Sequence, residues 1–257
     1  MADAPMRLWI DTDVGDDPDD AIALLCARAH PGVAIVGIST VDGDLERRVE
    51  LAQALVDGPV YRGDDRELGA AFSAAQPDAL LAIGPLTNVA TLVAARVPLP
   101  PVTLMGGVLG TVRHWGFVVN VEHNFARDPA AAARVIADCQ PVVVPLNVTL
   151  RLRLQPEQLA RLVATAPMLE PGVNAFLRLQ RDFGVPDEDR AVVLHDPLAF
   201  LTLVEPHLVR LDERRLTVDA AGRVAEEPTG APATVERSVD VRAAIDRVLG
   251  LVARAGG

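Results

Sequence analysis

Leu8-Trp9-Ile10-Asp11-Thr12-Asp13-Val14-Gly15-Asp16-Asp17-Pro18-Asp19-Asp20-Ala21-Ile22-Ala23-Leu24-Leu25 is the stretch on which the reading of this chain turns. A short apolar run of strand type meets a glycine turn, and an apolar helix with an acidic first turn follows. Six of the ten residues 11–20 are aspartate. Aspartate favours helix N-termini, so one or two would read as a cap. Six in one turn repel each other unless a cation or bound hydroxyl groups hold them together. Hard oxygen ligands in a compact loop select Ca²⁺ or Mg²⁺. The segment therefore reads as a metal site at the end of a buried strand.

Outward from this turn, strand-like and helix-like segments alternate. Arg7–Ile10, Val33–Thr40, Ala79–Ile83, Val102–Met105 and Val142–Pro145 read as strands, and so does the apolar run Ala191–Leu194. Asp19–Ala29, Leu45–Val56, Asn88–Ala95, Pro129–Ala137 and Asp240–Ala253 read as helices. Gln155–Gln180 also reads as helical, and Leu208–Glu227 as extended or hairpin structure. Continuous apolar strands between helices predict an α/β fold: an open, mostly parallel, doubly wound sheet with helices on both faces. No repeat or linker divides the chain, and residues 1–257 read as one domain.

Composition narrows the function classes. A formal charge of −11 opposes a nucleic-acid partner, which needs basic surface. The chain has no lysine, which excludes the lysine-bearing phosphate loop and any Schiff-base mechanism. No stretch of about twenty apolar residues lacks a charge or proline, which predicts no membrane span. The N-terminal residues have neither a basic flank nor an apolar signal core, which predicts a cytoplasmic protein. Cys26 and Cys139 lie in apolar runs without ligand spacing and read as buried, reduced and structural.

In a doubly wound sheet the ligand lies at the carboxyl ends of the strands. The residues following the strands form a chemically coherent set: Asp11 and Asp13, Asp42-Gly43-Asp44, Gly84–Asn88, Gly106-Gly107, Asn147 with Thr149, and His195-Asp196-Pro197. Carboxylates, amides and a histidine thus converge on one crest.

These residues resemble the inosine–uridine-preferring nucleoside hydrolases. The resemblance is carried by Asp11-Thr12-Asp13-Val14-Gly15 with Asp19-Asp20-Ala21, then Ser39–Asp44, Gly84-Pro85-Leu86-Thr87-Asn88 and Met105-Gly106-Gly107. Glu122-His123-Asn124 with Asp128-Pro129, and His195-Asp196-Pro197, complete it in family order over residues 7 to about 200. It implies an open α/β sheet, a tightly bound Ca²⁺, and hydrolysis of the N-glycosidic bond of ribonucleosides in salvage. It also implies a small nucleoside as substrate and a homodimer or homotetramer.

The same resemblance implies roles. Asp13 would ligate the metal and take a proton from a calcium-bound water; Asp20, Asp196 and the main-chain carbonyl of Ile83 would complete the ligand set. Asp19, Glu122 and Asn124 would hold ribose hydroxyls, with Asp44 and Asn147 supporting the substrate site. His195 is the candidate general acid beside the leaving base, against the alternative of a satisfied core histidine. Trp115 is a candidate to stack on a purine, against simple packing.

Four departures from the family pattern bear on these roles. Three residues, not one, separate Gly15 from Asp19-Asp20, so either Asp17 or Asp19 can take the ribose-binding place. Asp44 and His123 stand where asparagine and phenylalanine are usual, and Gly63–Pro77 is short. With that stretch short, Asn120 or a residue near Gly116 is expected to supply an amide to the site. Two rival readings remain: a Mg²⁺-dependent haloacid dehalogenase-type phosphatase, which also opens with Asp-x-Asp after a first strand, and a silent ribose- or nucleoside-binding protein.

Overall fold

The computed structural model describes residues 4–256. Its strands are β1 (Met6–Thr12), β2 (Val33–Thr40), β3 (Val60–Arg62), β4 (Ala79–Ala82), β5 (Val102–Met105), β6 (Val112–His114), β7 (Phe117–Val119), β8 (Val142–Val144), β9 (Val209–Val218), β10 (Val224–Glu226) and β11 (Ala231–Val239). Nine of them form one sheet in the order β10-β9-β11-β8-β5-β4-β1-β2-β3, while β6 and β7 make a separate hairpin. The pairs from β3 to β11 are parallel; only β9 pairs antiparallel, with β10 and β11.

The chain runs from β1 outward to β2 and β3, then crosses back to β4, β5 and β8 on the other side. The order therefore reverses between β1 and β4, where the loops diverge and leave a crevice. Register aligns the crest: Asp11 pairs with Ser39 on one side and Ala82 on the other, and Ala82 pairs with Leu104.

Trp9 shows how tightly the sheet is specified. It is fully buried, stacks on Tyr61 with 5.4 Å between ring centroids, tilts against Phe72, and donates its indole N–H to Ser39 Oγ at 3.0 Å. A Cβ at position 37 would sit 2.2 Å from its ring, which is why Gly37 lies opposite, next to a register shift in β1. Trp9→Ala would empty a large volume in this core, at a cost of about 3–5 kcal/mol. One face of the sheet buries Ile22, Leu25, Phe200 and Val248 of the helices Pro18–Ala29, His195–Val204 and Val241–Ala255. The other face buries Phe72, Val89, Phe125 and Val135.

Three expectations need correction. Ala191–Leu194 is not a strand of the sheet; Val192 and Leu194 exchange main-chain hydrogen bonds with Leu154 and Leu152, and the run is buried among helices. A short apolar run looks the same in either setting. Gln155–Gln180 is two helices, Pro156–Thr165 and Glu170–Asp182, separated by a 3-10 turn at Pro167–Leu169. The edge strand β3, the inner strand β11 and the helix Leu68–Ala75 lie where no element was expected. Among the described residues no helix is long and apolar enough to cross a membrane. Cys26 is buried as expected, whereas Cys139 is half-buried.

Candidate active site

A cavity of about 660 Å³ opens at the β1–β4 switch point. A larger groove, about 750 Å³, runs beside Arg214 of β9 and Glu226 of β10, which pair with each other, and it has no aromatic wall. The chemistry therefore points to the smaller cavity, whose floor is carboxylate and whose wall is aromatic.

The floor is built by the end of β1 and the first turn of the helix Pro18–Ala29. Asp17 caps that helix, accepting from Asp19 N–H, and Pro18 occupies its first turn. Thr12 Oγ1 donates to Asp20 and accepts from Val14 N–H at 3.1 Å, tying the two ends of the loop together. Across the crevice, a Cβ at position 84 would lie 2.9 Å from Asp13 Oδ1, so only glycine lets the end of β4 approach this closely. Asp19, Asp20 and Asp196 are buried and each brings an oxygen within 4.8 Å of the others. Asp196 N–H also donates to Asp19 Oδ2 at 3.3 Å.

Electrostatics follow from this crowding. Burial and the neighbouring aspartates hold Asp17, Asp20 and Asp196 well above the usual carboxylate range. Burial pushes Asp13 up to about 7; Arg48 opposes the shift, and Asp19 and Asp16 add to it. Beneath them, Asp11 accepts from Ser39 and from Asn88 Nδ2 through Oδ1, while its buried Oδ2 has no partner. Buried, mutually repelling carboxylates with an all-oxygen donor set fit a hard divalent cation.

The rim joins the ends of β4 and β5. Asn124 Nδ2 donates to the main-chain oxygens of Ile83 at 3.2 Å and Met105 at 3.3 Å. Glu122 is buried and accepts three main-chain N–H groups, from Asn124 at 2.8 Å, Gly107 at 3.0 Å and Phe125 at 3.2 Å. Burial raises its pKa, and those three donors oppose the rise. Gly106 is required beside it, because a Cβ there would meet the Phe125 ring at 2.5 Å.

The wall comes from the β6–β7 hairpin and the helix Glu170–Asp182. Trp115 packs on Phe176 and Phe183 at 5.7 and 6.1 Å between centroids. His114 stacks on Trp115 and meets His195 edge-on at 6.1 Å. Burial, helped by His114, lowers the His195 pKa to about 3, so the imidazole is neutral near pH 7. Its Nδ1 lies 2.7 Å from Thr149 Oγ1.

Asp13, Asp19, Asp20, Ile83, Glu122, Asn124, His195 and Asp196 all line this one cavity. The three-carboxylate cluster contains Asp19, the residue expected at ribose, and not Asp13. Asp44 and Asn147 do not line the cavity. Asp44 is exposed and caps the helix Leu45–Leu55 through Arg47 N–H at 3.2 Å; an aspartate three residues before a main-chain donor serves that role best. Asn147 spends its amide on Leu109, accepting at 2.8 Å and donating at 2.9 Å, and lies outside the cavity. His195 opens a helix and does not close a strand. Asn120 is exposed, and no atom of it lines the cavity. His123 does line it, as does Asp17. The sequence reading missed His114 and Phe176, although Trp115 and Phe117 flanking Gly116, with His114 before them, are a readable sign of an aromatic turn.

Residues 66–246 match the family model described as inosine-uridine preferring nucleoside hydrolase. The chain belongs to this family. It is therefore a nucleoside hydrolase, and the phosphatase alternative falls. The non-specific ribonucleoside hydrolase RihC of Salmonella agona is 33% identical over 273 aligned positions, covering 86% of this chain and 85% of that protein. An uncharacterized protein of Schizosaccharomyces pombe, C1683.06c, is 26% identical over 79% of this chain and 81% of its own. The purine-preferring ribonucleoside hydrolase of Gardnerella vaginalis superposes with a TM-score of 0.83 at 20% identity, covering 97% of this chain and 99% of that one, and so shares the fold.

Proposed function

We propose that this nucleoside hydrolase cleaves the N-glycosidic bond of ribonucleosides in the β1–β4 cavity with Ca²⁺ as cofactor. The observation that carries the reading is the buried Asp19-Asp20-Asp196 cluster beside Asp13 under an aromatic wall. Asp13, Asp20, Asp196 and the Ile83 carbonyl would hold the ion, with Asp19 close enough to share that task. When bound, such an ion supplies Lewis acidity toward water and offsets the carboxylate repulsion.

The protein residues do the rest. Asp13 accepts the proton of the attacking water. Asp17 or Asp19, with Asn124, orients the ribose hydroxyls, and Glu122 fixes the rim that carries Asn124. As C1′ develops oxocarbenium character, the surrounding carboxylates stabilise the positive charge. Trp115 and Phe176 exclude water and offer a face to the base. Thr149 donating to His195 Nδ1 leaves Nε2–H to donate to the departing base. The homodimer or homotetramer implied by the resemblance is supported by the exposed Phe117, Val118 and Phe183 near the mouth, and light scattering measures it.

Base release from a panel of purine and pyrimidine ribonucleosides, with Ca²⁺ or EDTA and with an Asp13→Ala variant, tests the reading. Release that needs both calcium and Asp13 is expected. Absence of release from every nucleoside, with the protein folded and calcium bound, replaces the reading with a silent binding protein.

A further inference from the structure

Arg48 lies behind the aspartate loop and is only 6% exposed. Its guanidinium makes three different contacts: Nε donates to Asp42 O at 2.7 Å, Nη1 to Val14 O at 3.1 Å, and Nη2 to Asp16 Oδ2 at 2.8 Å. Two of these acceptors flank Gly15, where φ is +135° and a Cβ would meet Leu51 at 2.9 Å. The loop therefore rests directly on the helix Leu45–Leu55, and the arginine from that helix holds it there.

The third acceptor belongs to a second strained turn. Asp42 and Gly43 both have positive φ, +60° and +62°, which aims the Asp42 carbonyl at Arg48. Asp42 is kept in this left-handed conformation by a bidentate pair with Arg127, at 2.9 and 2.6 Å. The helix His123–Arg127, the turn after β2 and the loop after β1 are thus joined through two arginines.

We propose that Arg48 is a positioning residue of the active site, which sets the Val14–Asp16 turn, and with it the Asp13 carboxylate, in the arrangement a cation needs before any cation is bound. The planar fork spreads its donors over three nitrogens in fixed directions and so spans three separate acceptors; a lysine carries its three donors on a single nitrogen. The inference rests on the metal reading above, and it has a sign of its own. A buried positive charge beside anionic ligands repels an incoming cation, so charge alone predicts that removing Arg48 tightens calcium binding. Positioning predicts the reverse.

The test compares wild type, Arg48→Met, Arg48→Lys and Asp16→Asn. Hydrogen exchange of the amides of residues 13–20 is followed in the metal-free proteins, and Ca²⁺ affinity is measured by calorimetry. Arg48→Met is expected to quicken local exchange and to weaken calcium binding by about 10–100-fold, as losing a residue that orients metal ligands does. Arg48→Lys is expected to weaken it too, although the charge remains. Asp16→Asn, which loosens one arm, should shift both readouts in the same direction and by less. Unchanged exchange in all variants, or tighter calcium in Arg48→Met, overturns the proposal. A purely structural arginine would lower the Tm and leave local exchange and affinity in place. Should Arg48→Met fail to fold, Arg48→Lys and Asp16→Asn decide in the same way. If wild type itself binds no calcium, the cofactor reading fails, while exchange in the metal-free protein still decides the role of Arg48.

Discussion

The floor and the wall of the cavity are built on opposite principles. Floor residues stand directly after β1 and β4 or in the first turn of a helix, and hydrogen bonds pin the backbone that carries them: Thr12 joins Val14 to Asp20, Asn124 joins Ile83 to Met105, and Asp196 N–H reaches Asp19. Wall residues come from a two-stranded hairpin outside the main sheet and from the helix Glu170–Asp182, and their side chains meet one another through ring packing. Hydrogen-bonded charge in a low-dielectric site tolerates little displacement, because an unmet partner costs its full desolvation. Packed rings accept substitutes of similar volume. The difference separates chemistry, which must not drift, from substrate choice, which can change.

The largest test of that division is Asp13→Ala, expected to lower kcat by about 10²–10⁴-fold with KM little changed. A loss under about tenfold in steady-state kinetics would make the floor no more critical than the wall.

Glu236 offers a buried carboxyl away from the floor. It accepts from Thr202 at 2.7 Å, its Oε1 is unpartnered, and burial raises its pKa to about 7. A carboxyl whose pKa is raised in the folded state favours folding while protonated, and that contribution is lost as pH rises from about 4.5 to about 7. Glu236→Gln should therefore flatten the pH dependence of Tm across this window and stabilise the protein at pH 8 by up to about 3 kcal/mol. A Tm profile identical to wild type would show that burial alone does not perturb acids in this fold.

On the wall, Trp115→Ala should raise KM by about tenfold with a smaller effect on kcat, and Trp115→Phe should recover most of it. A fall in kcat at constant KM would place Trp115 with the floor. The smallest expected effect is Asp44→Ala, a loss of about 1 kcal/mol of stability from the missing helix cap, read as a lower Tm. Its kcat/KM should stay within about twofold, and a larger loss would return Asp44 to the site.

The division also marks what could be read in advance. Asp11-Thr12-Asp13 after an apolar run, Gly84 and Gly106-Gly107 each sit at a strand end, and the switch-point rule brings strand ends together. The position of the floor was therefore legible. Asp44 and Asn147 obeyed the same rule and still turned away, because each found a nearer main-chain partner. Sequence position places a side chain at the crest; it does not decide between a cap and a ligand.

The order of apolar and polar residues by itself determined the alternating strands and helices, the parallel sheet and the concentration of acid behind β1, since each follows from local periodicity and short-range charge. Only the tertiary structure decided that Asp19 joins Asp20 and Asp196, that Arg48 reaches Val14 across 34 residues, and that Trp115 meets Phe176. Those contacts depend on where helices come to rest on the sheet. Packing between distant segments sets that, and no local pattern encodes it.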